Sequence, residues 1–300
     1  MSDKKLLVTG ASGKLGKQVV SYLLNEFQIK PEQLILTSRN VEALSEYAAK
    51  GVDVRKADFS DTASLEKAFQ GADSLLLVSI DAIGQRSELH ANAVTAAEKV
   101  GVQHLTYTSM PSADTSPIVF AFEHVASEKA IADSTIPNWT VLRNNWYFEN
   151  LPEFFASTLQ TGTWLTSTEQ GRTAQLSRAD LSYAAAAALV KSGEGKQMLT
   201  LNGPESLTTE EMAKDIDSVL GTNINVIQMS DEALKAQLES FQLPEGLVAM
   251  ITTMEQHGRG NYSDGTSEDF EALTGKKPQT FSQWLTENKE NLLTIVNSAA

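Results

Sequence analysis

The run Lys5-Leu6-Leu7-Val8-Thr9-Gly10-Ala11-Ser12-Gly13-Lys14-Leu15-Gly16 leaves this chain few ways to begin. Its apolar residues read as a strand and its glycines, spaced three apart, as a tight turn. Gln18-Val19-Val20-Ser21-Tyr22-Leu23-Leu24 then reads as an amphipathic helix. Strand, glycine-rich turn and helix in that order make a nucleotide cradle. Gly10 permits the turn, Gly13 lets the backbone approach a pyrophosphate without a Cβ in the way, and Gly16 lets the helix pack close to the strand. The helix start, with Ser12, Lys14 and Leu15 around it, turns free N–H groups toward the phosphates.

Strands and helices keep alternating downstream. Strands are predicted at 34–37, 52–56, 72–79, 103–109 and 139–143, and helices at 41–50, 61–71, 85–100 and 120–133. The run at 72–79 is the most apolar of these, as a central parallel strand buried on both faces requires. This alternation predicts an α/β fold, a Rossmann-type doubly wound parallel sheet with ligands at the carboxyl ends of its strands. Beyond residue 150 the pattern loosens, with helices predicted at 151–161, at 178–191 behind Ser177, and at 208–221, 232–241, 245–256 and 281–291. The expected organisation is a nucleotide-binding domain over 1–150 and a smaller, mostly helical lobe over 151–300. The two interleave, and the lobe forms the substrate side of a cleft.

Composition narrows the partners. Three hundred residues with 41% hydrophobic content suffice for a large core. A net charge of -14 repels nucleic acid and anionic membrane surfaces alike, so an anionic ligand must find a local cluster of N–H groups and cations. With no cysteine, disulfide and thiol chemistry are excluded. The N-terminus enters a strand without an apolar signal core, and no eighteen-residue apolar run occurs, so a cytoplasmic protein without a membrane partner is expected. His90, His104, His124 and His257 are scattered, and no metal site is expected.

In NAD-specific folds an acidic residue about twenty positions past the glycine turn binds the ribose 2'-hydroxyl. Here Ser38-Arg39 stands in that place. A guanidinium holds a 2'-phosphate that a carboxylate would repel, so NADP(H) is the expected cofactor, with NAD(H) weaker, and Lys14 adds a second cation. Asp58-Phe59 follows the third strand, where the adenine should lie. The same pair also fits an Asx turn with a core Phe. Ser79, Thr108 and Ser109 end the fourth and fifth strands, where they either border the nicotinamide-ribose crevice or cap the loops that follow.

These runs, with Tyr107-Thr108-Ser109 and above all the segment from Thr140 through Arg143-Asn144-Asn145-Trp146-Tyr147-Phe148 to Asn150, resemble the NmrA-like branch of atypical short-chain reductases. Within it they are similar to the bacterial NADPH-dependent quinone oxidoreductases, with triphenylmethane dye reductases nearby. The likeness extends through Leu201-Asn202-Gly203-Pro204 and Gly275-Lys276-Lys277-Pro278. It implies an oxidoreductase that transfers a hydride from NADPH to a quinone or a similar electron-poor aromatic acceptor.

The chain departs from the superfamily at one place. The catalytic Tyr-x-x-x-Lys should fall at 120–124, which reads Phe120-Ala121-Phe122-Glu123-His124. Both the phenol and the lysine are missing, so alcohol oxidation lacks its proton shuttle, whereas a quinone, whose ring delocalises the incoming electrons, needs chiefly proximity and orientation. His124 reads either as a catalytic group or as half of a surface i,i+4 pair with Glu128. Asn144 and Tyr147 are candidates to orient the nicotinamide or hydrogen-bond an acceptor carbonyl, and Trp146, Tyr147, Phe148 and Phe154 to line the acceptor, although aromatics at such spacing also suit a core. The competing reading is a redox-sensing regulator that binds NADP(H) and signals to a protein partner. Monomer and homodimer both stay open.

Overall fold

Leu6, Leu7 and Val8 are all buried because β1 (Leu6–Val8) lies in the middle of a sheet covered on both faces. The structure, a computed structural model, describes residues 4–154 and 156–298. In chain order, α1 (Lys14–Asn25), β2 (Leu34–Ser38), α2 (Ser45–Ala48), β3 (Asp53–Lys56), α3 (Thr62–Phe69), β4 (Ser74–Leu77), α4 (Arg86–Lys99), β5 (His104–Ser109), α5 (Ala121–Asp133) and β6 (Asn138–Asn144) complete the first half. After them come α6 (Asn150–Phe154), α7 (Ala156–Thr161), β7 (Thr163–Thr166), α8 (Arg178–Lys191), β8 (Lys196–Leu201), α9 (Thr209–Leu220) and β9 (Asn225–Gln228). The chain ends in α10 (Asp231–Ser240), α11 (Glu245–Arg259), α12 (Asp269–Thr274), α13 (Phe281–Glu287) and α14 (Lys289–Asn297).

The seven strands of the main sheet run in the order β3-β2-β1-β4-β5-β6-β8, and every neighbouring pair is parallel. This is the doubly wound α/β arrangement, with its topological switch between β1 and β4. Alternation along the strands sorts the core. Leu6 and Val8 face α1, α8 and α12, where Val19, Leu23 and the row from Ala184 to Ala188 pack tightly. Leu7, Leu75 and Leu105 face α3, α4 and α5.

Several expectations are corrected. The helix predicted at 41–50 is a 3₁₀ turn over Val41–Leu44 followed by the single turn of α2, since Asn40 caps Glu42 N–H and starts the turn anew. A seventh strand, β8, comes from beyond residue 150 and pairs with β6. Its burial, exposed for three residues and deepening only at Leu201, hides it from a search for apolar runs. The helix predicted at 281–291 is two helices, α13 and α14, separated at Asn288. A two-stranded parallel pair, β7 with β9, was also not anticipated. Around it α6, α7, α9, α13 and α14 enclose a separate core built on Phe148, Trp164, Ile216, Phe281 and Trp284.

Candidate functional site

The glycine turn has the geometry its spacing predicts. Gly10 sits at φ +59°, the left-handed region. A Cβ on Gly16 would come within 2.3 Å of Gly10 O, so only hydrogen fits where α1 crosses the turn. At Gly13 a Cβ would meet Gly10 O at 3.2 Å, a tight contact but a much milder one than at Gly16. Gly13 is also the N-cap of α1 and makes no side-chain cap, which leaves the first-turn N–H groups, beside Leu15, to an incoming anion.

Around the turn, Ser12 Oγ meets Ser38 Oγ at 2.8 Å, and Ser38 Oγ accepts from Asn40 N–H. These bonds tie the glycine turn to the end of β2, where Arg39 is exposed. Lys14 forms an ion pair with Glu153 at 2.8 Å, and Arg178 contacts the same carboxylate at 2.9 Å. Exposed as Lys14 is, this pair is weak and exchangeable. Asp58 accepts from both the N–H and the hydroxyl of Ser60. Those bonds, helped by Arg39, hold its carboxyl below the usual range. The Asx turn is therefore present, and Phe59 packs on the core beside His90.

At the carboxyl ends of β4 and β5, Thr108 Oγ1 accepts from Ser79 N–H at 2.9 Å and donates to Ser79 Oγ at 3.2 Å. Ser109 donates to Glu128 at 2.7 Å. Next to them the end of β6 presents Asn144, which is buried and makes no hydrogen bond of normal length, its polar neighbour being the Tyr147 hydroxyl. Its neighbour is the half-buried Tyr147, whose phenol is pushed above its usual value chiefly by burial, with Arg178 and Asn144 working against that shift. The Arg178 guanidinium lies 5.4 Å from the centre of the Tyr147 ring. Trp146 is half-buried and stands edge-to-face on His257 at 5.4 Å. Phe148 is buried between Phe281 and Trp284, a packing role. The Phe154 side chain lies outside the described residues.

The surface pairing of His124 with Glu128 is overturned. Both are buried, because their partners sit on elements remote in sequence, β5 and β6 and the start of α4. Glu128 is bonded to Arg143, while His124 stands between Tyr107 and Arg86. Arg86 can only donate, and its N–H faces His124 Nε2 at 3.2 Å. The neutral ring therefore carries its proton on Nδ1 and donates to Tyr107 Oη at 2.8 Å. His90 accepts from Ile80 N–H and faces Ser127 Oγ at 2.8 Å. Burial, reinforced by Arg86, holds both imidazoles down at about 3. Lys129 points outward and pairs with Asp133.

Sequence reasoning missed Arg86 and Glu123. Arg86 is buried, with its guanidinium 5.0 Å from the centre of the Phe120 ring. The Glu123 carboxylate receives Arg86 N–H at 2.8 Å. Nothing in the local pattern distinguishes these two charges from solvent-facing ones. Glu255 was likewise unremarked, and His257 was noted only as one of four scattered histidines; both are buried in the C-terminal lobe.

Residues 2–285 match the NmrA-like family. Quinone oxidoreductase 2 of Escherichia coli (strain K12) is 35% identical over 246 residues, which is 82% of this chain and 85% of that protein. The crystal structure of the NADPH-dependent quinone oxidoreductase from Escherichia coli complexed with NADPH superposes with a TM-score of 0.88 at 33% identity, over 96% of this chain and 99% of that one. The Citrobacter sp. triphenylmethane reductase complexed with NADP(H) gives a TM-score of 0.84 at 30% identity, over 98% and 99% of the two chains. The glycine turn, the Ser38-Arg39 corner and the Asn144–Tyr147 segment all fall within the matched region, and the chain belongs to the NmrA-like family.

Proposed function

We propose that this protein is an oxidoreductase that uses NADPH in preference to NADH and reduces a quinone or a similar electron-poor aromatic acceptor. The observation that carries the reading is the Asn144 amide. It is a buried donor and acceptor at the carboxyl end of the sheet with the Tyr147 hydroxyl as its polar neighbour, and it makes no hydrogen bond of normal length within the protein. The relatives whose names specify quinone and dye reduction support the choice of acceptor.

The residues present fit a dinucleotide. Gly10, Gly13 and Gly16 keep the turn open, the start of α1 supplies N–H groups together with Ser12, and Arg39 is placed for a 2'-phosphate. Lys14 exchanges Glu153 for phosphate when an anion arrives. Asp58 and Phe59 border the adenine end, while Ser79 and Thr108 lock β4 to β5 below the nicotinamide-ribose. When bound, NADPH supplies the hydride. Asn144 orients the reacting ring, and Tyr147, which burial keeps protonated, donates a hydrogen bond to the acceptor oxygen that gains negative charge. Trp146 forms the apolar wall. His124, with both ring nitrogens engaged, supports Arg86 and Tyr107 and leaves the acceptor to Tyr147. Residues 151–300 supply the substrate side of the cleft. With Phe120 and His124 in the places of the superfamily tyrosine and lysine, proximity and hydrogen bonding carry the reaction.

The test is steady-state oxidation of NADPH and of NADH against a panel of quinones and a triarylmethane dye, run beside a cofactor titration. Turnover with a quinone and a preference for NADPH is the expected result. Tight NADPH binding with no turnover on any acceptor would overturn it in favour of a nucleotide-sensing regulator.

A further inference from the structure

Asn144 and Asn145 are adjacent and both buried, yet their amides have opposite fates. Asn144 makes no hydrogen bond of normal length within the protein. Asn145, only 1% exposed, spends its amide on protein partners. Its Oδ1 accepts from Trp146 N–H at 2.8 Å, and its Nδ2 donates to Asn202 Oδ1 and to Ser263 O, each at 2.9 Å. No N–H of that amide is left for a ligand.

The partners fix which way the amide faces. Trp146 N–H needs an acceptor, whereas Asn202 Oδ1 and Ser263 O need donors, so turning the Asn145 amide over would set donor against donor and oxygen against oxygen. Asn202, itself buried, is held in the same manner, because its Nδ2 donates to Gly265 O at 2.6 Å. The bonds thus run without a break from Trp146 N–H through two buried amides to Gly265. A fully satisfied buried network specifies one arrangement.

The backbone shows what this arrangement sets. The pairing of β6 with β8 ends at Asn144 and Leu201, and Asn145 N–H closes it on Leu201 O at 3.0 Å. One residue later the chain has changed partner. Trp146 O accepts from Leu176 N–H at 3.0 Å, and Phe148 N–H donates to Leu176 O at 2.9 Å. At the change of partner it is the Asn145 side chain that meets Trp146 N–H, in place of a neighbouring strand.

We propose that Asn145 is a positioning residue for the acceptor site. Without touching the acceptor, it sets the direction in which Asn144 and Trp146 leave the sheet. The inference rests on the acceptor reading given above. Orientation carries that reaction, and a misplacement of about 1 Å can cost about a hundredfold in rate. The glycine turn and Arg39 follow β1 and β2, and none of the bonds of Asn145 reaches them.

The experiment compares Asn145→Ala with the unmodified protein in NADPH affinity, in steady-state reduction of a quinone, and in the backbone and indole N–H signals of Trp146 by NMR. The proposal expects kcat/KM for the quinone to fall by about tenfold to a hundredfold while NADPH affinity holds. Trp146 N–H should shift and exchange faster with solvent, while the signals of Trp139, which packs in another core, stay still. A role in stability alone would lower the melting temperature and leave the constants of the folded protein as they were, which would overturn the proposal. Asn202→Ala keeps the Asn145 bonds to Trp146 and Ser263, so it should move the quinone constants in the same direction by less. If Asn145→Ala does not fold, unchanged quinone constants in Asn202→Ala overturn the proposal. Absence of turnover by the unmodified protein would sink the acceptor reading alone. The Trp146 signals then decide, and an unmoved Trp146 N–H in either variant that folds would show that Asn145 does not set this segment.

Discussion

Arg143 on β6 and Glu128 on α5 grip each other through two hydrogen bonds, Nε to Oε1 at 3.0 Å and Nη2 to Oε2 at 2.7 Å, while Ser109 donates to the same Oε1. The fork-to-fork geometry fixes α5 against the strand whose next residue is Asn144. Arg143→Ala strands a buried carboxylate and should lower the unfolding free energy by about 3 kcal/mol, the lower end for breaking a buried pair. The double variant Glu128→Leu with Arg143→Met should lose markedly less, because neither charge is left behind. Denaturant titration of the three proteins decides it, and equal losses would show the pair to be stabilising in its own right.

Gly13 and Gly16 look alike in sequence but differ in what surrounds them. Gly16→Ala forces a methyl to within 2.3 Å of Gly10 O and should destabilise the fold by about 1–3 kcal/mol. Gly13→Ala meets only a tight contact at 3.2 Å. It should cost clearly less stability than Gly16→Ala while lowering NADPH affinity at least about tenfold, since the added methyl occupies the approach to the pyrophosphate. Melting curves and cofactor titrations on both variants separate packing from binding. Undiminished NADPH affinity in Gly13→Ala would remove the turn from the binding site.

These contrasts mark what could be read from one dimension. Gly10 and Gly16 were legible because a backbone requirement admits a single residue type, and β1, β4 and β5 because burial on both faces demands apolar runs. β8 was not, since Lys196 and Gln197 lie at an exposed edge and the strand is defined by its pairing with β6. Asp58 kept its two meanings until the Ser60 bonds were seen. His124 and Glu128 sit four apart, a spacing equally suited to solvent or core, and only Tyr107 and Arg143, from other strands, decide between them. Arg86 and Glu255 carried no local signal at all, because a buried charge is recognised by its partners.

Arg39 decides the cofactor preference if the proposed NADPH chemistry holds. Ser38 and Ser12 bind the strand end to the glycine turn without it, so Arg39→Ala should leave folding intact. Losing a charge-assisted contact worth about 2 kcal/mol should raise the KM for NADPH roughly thirtyfold while leaving that for NADH almost unmoved. An unchanged ratio of the two KM values would rule out Arg39 as the 2'-phosphate contact.

The buried histidines set how stability responds to acid. His90 and His124 are held down at about 3 and His257 at about 4, in each case first by burial. Unfolded, each returns to about 6.5. A folded value below the unfolded one means that the unfolded chain binds more protons as the pH drops. The stabilisation from keeping these rings neutral is therefore complete above about 6.5 and is lost as the pH falls toward 3–4. Between about pH 6.5 and 5 most carboxylates stay ionised in both states, so the histidines dominate the slope. Replacing His124 with Asn sacrifices the bond to Tyr107 and lowers stability at pH 7, yet it should reduce proton uptake on unfolding by about one in that window. Denaturant titrations at several pH values measure both quantities, and an unaltered slope would mean that His124 is protonated in the native protein despite its burial.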